Sequence, residues 1–282
     1  MQFRTLIAVE SLQGLLPQPR VAVIDCRFDL MNPAGGRAAY LSGHIPGARY
    51  ADLNRDLSGS VGADTGRHPL PAPETFARRL GELGIGNDTQ VVAYDDANGS
   101  FAARLWWMLR WVGHGAVAVL DGGLKAWTAH GGALQAGTTD FATERFTPCV
   151  DPRAVLGTAD VERAVQSPQI LLVDARSPDR FAGLEEPIDT VAGHIPGAVN
   201  HPLSANLAAD GRFLPPAQLR ARWLERLAGS DARSVVAMCG SGVTACHNLL
   251  SLETAGLLGG RLYAGSWSEW IRDPRRPVAR GP

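Results

Sequence analysis

The motif Gly43-His44-Ile45-Pro46-Gly47-Ala48 returns 150 positions later as Gly193-His194-Ile195-Pro196-Gly197-Ala198. No other feature constrains the fold of this chain so strongly, because the flanks repeat as well. Upstream, Val21-Ala22-Val23-Ile24-Asp25-Cys26-Arg27 matches Ile170-Leu171-Leu172-Val173-Asp174-Ala175-Arg176. Downstream, Val91-Val92-Ala93-Tyr94 matches Val235-Val236-Ala237-Met238, and Asp121-Gly122-Gly123-Leu124-Lys125-Ala126-Trp127 matches Ala264-Gly265-Ser266-Trp267-Ser268-Glu269-Trp270. Four matches in one order mark a duplicated unit of roughly 130 residues, too long a period for a solenoid and suited to two tandem globular copies. The expected division is a first copy over 1–135, a linker over 136–156 and a second copy over 157–282.

Each copy alternates strand-like and helix-like segments. Val21 to Asp25, Gln90 to Tyr94 and Ala116 to Leu120 are short continuous apolar runs, the pattern of strands buried on both faces of a parallel sheet. Pro73 to Leu83 and Phe101 to Val112 carry helical spacing, with Pro73 suited to a first turn and Gly84 to a stop. The second copy follows with strands at Ile170 to Asp174 and Ser234 to Met238, and helices near Pro216 to Leu227 and Val243 to Ala255. This alternation predicts an α/β fold, each copy an open, mostly parallel sheet with helices on both faces. The Gly- and Thr-containing stretch from Gly131 to Gly157 reads as the linker, with some strand-like packing around Phe141 and Phe146.

Composition removes several function classes. Lys plus Arg number 27 against 28 for Asp plus Glu, so a nucleic-acid partner or an anionic membrane surface is not expected. No apolar run approaches the ~20 residues of a bilayer-spanning helix. The N-terminal residues lack a secretory pattern, which points to the cytoplasm. None of the four cysteines, Cys26, Cys149, Cys239 and Cys246, forms a C-x-x-C pair, which argues against a zinc knuckle or a dithiol.

Ligands of open α/β sheets sit at the carboxyl ends of the strands. In the second copy that position holds Cys239, followed by Gly240-Ser241-Gly242-Val243-Thr244 and a helix start. Small residues let the backbone curl so that amides and a helix N-terminus face an anion, a setting that favours the nucleophilic thiolate. The equivalent of Cys239 in the first copy is Asp95. A carboxylate cannot carry sulfur, so the first copy is expected to be a non-catalytic half that helps wall the site. His44 and His194 are expected to bond backbone in tight turns rather than a metal. Trp106, Trp107 and Trp111 are expected to pack, and Trp267 and Trp270 to lie near the pocket rim.

Along nearly its whole length the chain resembles the two-domain rhodanese-type sulfurtransferases, the family of 3-mercaptopyruvate and thiosulfate sulfurtransferases. The resemblance rests on the paired Gly-His-Ile-Pro-Gly-Ala motifs, the Asp-Xaa-Arg strand ends, Tyr263 to Trp270 and, above all, Cys239 to Thr244. It implies that Cys239 takes a sulfane sulfur from a small donor as a persulfide and passes it to cyanide or a thiol such as thioredoxin or glutathione. No cofactor and no metal are implied. The neutral Gly240-Ser241-Gly242 loop resembles the mercaptopyruvate type, in which the hydroxyl of Ser241 relays a proton. His68, in Gly66-Arg67-His68-Pro69-Leu70-Pro71, matches the histidine that polarises that serine. Arg180 matches the arginine that grips the donor's anionic end, and the amides of Gly240, Gly242, Val243 and Thr244 complete the binding cradle.

Two departures stand out. The acidic member of the relay falls on Asn54, with Asp52 the nearest carboxylate. The second donor-binding arginine should follow a Glu-Pro pair, but Glu186-Pro187 precedes Ile188 and Asp189, so one positive charge is missing. Thiosulfate therefore stays in view as the alternative donor. A non-catalytic binding module is the other alternative, and the intact Cys239 argues against it. A cysteine-dependent phosphatase needs an arginine six residues after its nucleophile, where this chain has Ala245.

Overall fold

The valine-rich runs of each half bury both faces and therefore pair side by side in parallel. In the computed structural model, which describes residues 2–165 and 170–282, β1 (Leu6–Ile7), β2 (Val21–Asp25), β3 (Arg49–Tyr50), β4 (Gln90–Tyr94) and β5 (Val117–Leu120) form one sheet in the order β1-β5-β4-β2-β3. Then β6 (Val155–Leu156), β7 (Leu171–Asp174), β8 (Val199–Asn200), β9 (Val235–Met238) and β10 (Arg261–Tyr263) form a second, in the order β6-β10-β9-β7-β8. All pairings within these sheets are parallel, with Val23 opposite Val92 in the first and Val173 opposite Ala237 in the second. The identical strand order is the structural form of the sequence repeat.

Parallel neighbours need crossovers, and helices supply them. Pro73–Glu82 and Ala102–Trp111 flank the first sheet, Pro216–Leu227 and Ala245–Thr254 the second. Each expected helix appears, trimmed by at most two residues at an end. Proline opens Pro73–Glu82 and Pro216–Leu227, where its missing N–H goes unmissed. None of the helices among the described residues is long and apolar enough to cross a membrane.

The chain divides into two units that are interleaved in sequence. One comprises Met1–Gly59, Pro71–Asp151 and Ala209–Arg212; the other comprises Ser60–Leu70, Pro152–Ala208 and Phe213–Pro282. The core of the first unit includes Leu12, Val92, Tyr94 and Trp127; that of the second includes Val236, Met238, Tyr263 and Trp267. Within 136–156, Cys149 N–H bonds Val112 O at 2.8 Å in the first unit, and Val155–Leu156 is β6 of the second sheet. Phe146 is buried without joining a strand.

The Asp-Xaa-Arg repeat makes the same buried device in both units. Arg27 Nη2 donates to Asp25 Oδ2 at 2.6 Å and to Gly43 O at 2.7 Å; Arg176 Nη2 donates to Asp174 Oδ2 and to Gly193 O, both at 2.7 Å. Each pair ties a central strand end to the turn that precedes the repeated Ile-Pro-Gly. His44 Nδ1 lies 2.8 Å from Tyr40 O and His194 Nδ1 2.8 Å from Phe181 O, as expected of turn histidines. Trp106 is fully buried, and Trp107 stacks on Trp111 at 6.0 Å.

Candidate active site

The second unit positions Cys239 by burying everything before it. All four residues of β9 are inaccessible, so the chain emerges at Cys239, itself 2% exposed, at the carboxyl end of a central strand. The next residues turn back onto the segment after β10. Cys239 N–H donates to Ser266 Oγ at 3.1 Å, Cys239 O accepts from Trp267 N–H at 3.0 Å, and Gly240 O accepts from Ser268 N–H at 2.9 Å. Gly242 sits at φ +76°, and a Cβ there would lie 2.3 Å from Ala264 O, so both its backbone and its neighbour require glycine.

The loop faces its own sulfur. Gly242 N–H donates to Cys239 Sγ at 3.2 Å, the one loop amide among the described residues that reaches it. Val243 is buried, its carbonyl accepting Cys246 N–H, and Thr244 precedes the helix Ala245–Thr254. Ser241 is 6% exposed and its Oγ lies 2.7 Å from His68 Nδ1. The structure thus joins the two residues that sequence reasoning paired across 173 positions.

His68 reaches the loop because Ser60–Leu70 packs with the second unit. Gly66 makes the approach possible: a Cβ there would meet Gly265 O at 2.6 Å. Gly66 N–H then donates to Glu269 Oε2 at 3.3 Å, and Arg67 N–H donates to Ser268 Oγ at 3.1 Å. Asp52 belongs to the other unit. Its Oδ1 accepts from Asn54 and Arg55 N–H, both at 2.9 Å, and so closes a local turn.

Three guanidiniums alternate with three carboxylates next to the loop. Arg180 donates to Glu186 Oε1 from Nη2 at 2.7 Å and from Nε at 3.1 Å, and to Asp189 Oδ2 at 3.3 Å. Arg180 is thus ion-paired and also stands over Gly240. Arg176 joins Asp174 to Glu186, and Arg67 pairs with Asp189. Burial holds the Arg67 guanidinium below its ordinary value, and the charge of Cys239 pulls it back up.

One expectation needs correction and two residues were missed. Trp267 and Trp270 do not line a rim: they are buried in the core of the second unit, with Nε1 donating to Val191 O and Pro277 O. Their spacing served helix packing, and Arg176 covers the Trp267 ring at 4.9 Å. Ser266 escaped notice although it accepts the amide of Cys239 from a strained φ of +54°. The repeat carried the signal, because its counterpart is Gly123, at φ +56°. Arg67 carried no expectation from the sequence, and folding pairs it with Asp189 beside the loop.

Comparisons with known proteins agree with this geometry. A family profile described as rhodanese-like domain matches residues 8–130 and again 158–273. A Pseudomonas aeruginosa protein, provisionally named a 3-mercaptopyruvate sulfurtransferase, is 50% identical over 100% of both chains. A Mycobacterium tuberculosis protein, provisionally named a thiosulfate sulfurtransferase, is 40% identical over 99% of this chain and 98% of its own length. The crystal structure of SseA from Escherichia coli, described as a 3-mercaptopyruvate sulfotransferase of rhodanese fold, superposes with a TM-score of 0.81 at 33% identity, covering 94% of this chain and 100% of that one.

Proposed function

This chain belongs to the rhodanese-like family and is a sulfurtransferase, and on that premise we propose a persulfide mechanism at Cys239 with 3-mercaptopyruvate as preferred donor. The thiolate of Cys239 attacks the donor's sulfur. The carbon–sulfur bond breaks, and its electron pair goes to the carbon as the enolate of pyruvate. The proton that the donor's sulfur carried ends on that carbon, giving pyruvate and a Cys239 persulfide anion. Cyanide, or a thiolate of the thioredoxin or glutathione kind, then attacks the outer sulfur. The sulfur–sulfur bond breaks, thiocyanate or a new persulfide leaves, and the Cys239 thiolate returns.

The chain's own groups meet each demand of this sequence. Gly242 N–H, 3.2 Å from Sγ, stabilises negative charge on the cysteine in every state. Arg180 holds the donor's carboxylate. The observation that carries the donor preference is the 2.7 Å contact of His68 Nδ1 with Ser241 Oγ. A hydroxyl polarised by imidazole, two residues after the nucleophile, is suited to move a proton from the departing sulfur to carbon. Thiosulfate needs no such step, because sulfite leaves with its electron pair unprotonated.

The test is kcat/KM for 3-mercaptopyruvate and for thiosulfate, with cyanide as acceptor and thiocyanate as readout. The expected result is a clear preference for mercaptopyruvate. A preference for thiosulfate overturns the donor assignment and leaves the cysteine chemistry standing. No transfer from either donor overturns both.

A further inference from the structure

The turn Gly265-Ser266-Trp267-Ser268-Glu269 of the second unit holds two separate stretches of chain at once. One is the loop after β9: Ser266 Oγ accepts Cys239 N–H, Trp267 N–H donates to Cys239 O, and Ser268 N–H donates to Gly240 O. The other is the stretch that leads to His68. Arg272 Nε donates to Thr65 O at 3.2 Å, Gly66 N–H donates to Glu269 Oε2 at 3.3 Å, and Arg67 N–H donates to Ser268 Oγ at 3.1 Å. Each of the three residues before His68 is therefore bonded to 268–272. The 2.7 Å contact of His68 Nδ1 with Ser241 Oγ joins the two stretches that this turn sets side by side.

Glu269 is the charged member of this set and is fixed at both oxygens. Its Oε1 accepts from Thr158 Oγ1, which itself lies 2.8 Å from Tyr263 OH. Its Oε2, the acceptor of Gly66 N–H, lies over Gly265, where a Cβ would stand 2.3 Å from it. The repeat isolates the residue. Gly122 and Ala126 occupy in the first copy the positions that Gly265 and Glu269 occupy in the second. A Cβ on Gly122 would meet Ala126 Cβ at 2.7 Å, so the two positions touch in both units and only the second places a carboxylate there. The first copy also has Ala97 at the place of Ser241. The carboxylate and the loop hydroxyl thus occur together, in the unit where His68 meets the loop.

We propose that Glu269 is the positioning residue of the proton relay: by accepting Gly66 N–H it fixes His68 at bonding distance from Ser241, and it acts on the reaction through His68. This rests on the relay reading of His68 and Ser241 above. An ionised acceptor makes the stronger bond to an amide, which suits an anchor. The anchored contact needs one, because a hydroxyl–imidazole pair at 2.7 Å has only about 0.5 Å of slack before it ceases to be a hydrogen bond.

The experiment measures kcat and KM for 3-mercaptopyruvate and for thiosulfate, with cyanide saturating, in the wild type, Glu269→Ala, Glu269→Gln, His68→Ala and the double variant His68→Ala/Glu269→Ala. The thermal midpoint is recorded alongside. Glu269→Ala, which copies Ala126 of the first unit, is expected to lower kcat for mercaptopyruvate about tenfold, as a displaced catalytic group does. Its KM should stay within about threefold, and thiosulfate turnover should be unchanged. Glu269→Gln keeps an oxygen acceptor and should recover most of that loss. In the His68→Ala background the added Glu269→Ala should cost less than about twofold more, because residues that act as one unit do not add. An additive loss in the double variant, or equal losses with both donors that track a lowered thermal midpoint, assigns Glu269 a structural role and overturns the proposal. Wild-type kcat in Glu269→Ala, while His68→Ala is impaired, overturns it alone. If His68→Ala matches the wild type on mercaptopyruvate, or the wild type does not turn that donor over, the relay reading falls and this inference with it.

Discussion

The two central strands β4 and β9 end in equivalent loops, and the loops do opposite things with the same anion-binding backbone. After β4, Asp95 turns its carboxylate into its own loop: Oδ1 accepts from Ala97 and Gly99 N–H, Oδ2 from Phe101 and Ala102 N–H, all at 2.8 Å. After β9, Cys239 offers a single sulfur, and among the described residues Gly242 N–H is the one amide bonded to it. The neighbouring turns are alike, with Leu124 N–H on Asp95 O at 2.9 Å and Trp267 N–H on Cys239 O at 3.0 Å. One side chain therefore decides whether the cradle is filled from within or stays available to an outside anion. In the first unit the position of the thiol is held by a carboxylate that plugs its own loop.

The largest effect expected from this contrast is on turnover. Cys239→Ser should lower sulfur transfer by more than about a thousandfold, the scale of a lost nucleophile, with circular dichroism unchanged. Adding Asp95→Cys to that variant should restore nothing, because the first loop lacks the histidine–serine pair. Thiocyanate formation by the double variant would break the comparison.

Next in size is the plug itself. Asp95→Ala leaves four inward amides without their acceptor and should destabilise the protein by about 3 kcal/mol or more, read from the urea midpoint. A loss below about 1 kcal/mol would mean that the four bonds are not what closes that loop.

A smaller, donor-selective effect is expected at the serine. Ser241→Ala should cut kcat for mercaptopyruvate by about 10- to 100-fold, at the low end for one general acid–base group, and leave thiosulfate turnover nearly unchanged. Equal losses with both donors would make Ser241 a loop support and not a proton carrier.

The smallest effect concerns pH. Burial pushes His114 in the first unit and His201 in the second below the ordinary 6.5. A histidine with a depressed value in the fold takes up its proton more readily when unfolded. Its contribution is therefore present above pH 6.5 and is lost as pH falls below that value. The urea midpoint should decline between pH 7 and pH 5, above the range where carboxylates titrate, and a flat profile there would contradict it.

Much of this was legible without coordinates. The order of apolar runs predicted β2, β4, β7 and β9 to within a residue, since a parallel strand buried on both faces needs an unbroken local run. The loop Cys239 to Thr244 announced itself through residue size and position after a strand, and His68 through resemblance. Where the reading failed, the deciding contact was distant in the chain. Trp267 and Trp270 carry the apolar spacing of any short helix, and nothing local says which wall they face. Ser266 and Gly66 owe their roles to a turn that meets them from 27 and 203 positions away.

The duplicated architecture, the glycine-rich loop after Cys239 and the non-equivalence of Asp95 and Cys239 were thus written in short-range pattern, because strand periodicity, glycine content and residue chemistry act over a few neighbouring positions. The cation complement of the site was settled by folding. Arg67 stands 122 positions before Asp189 and reaches Gly240 only because Gly66 lets the 60–70 segment lie against the turn after β10. A charge is placed in three dimensions by whatever packs beneath it, and no local stretch of sequence contains that information.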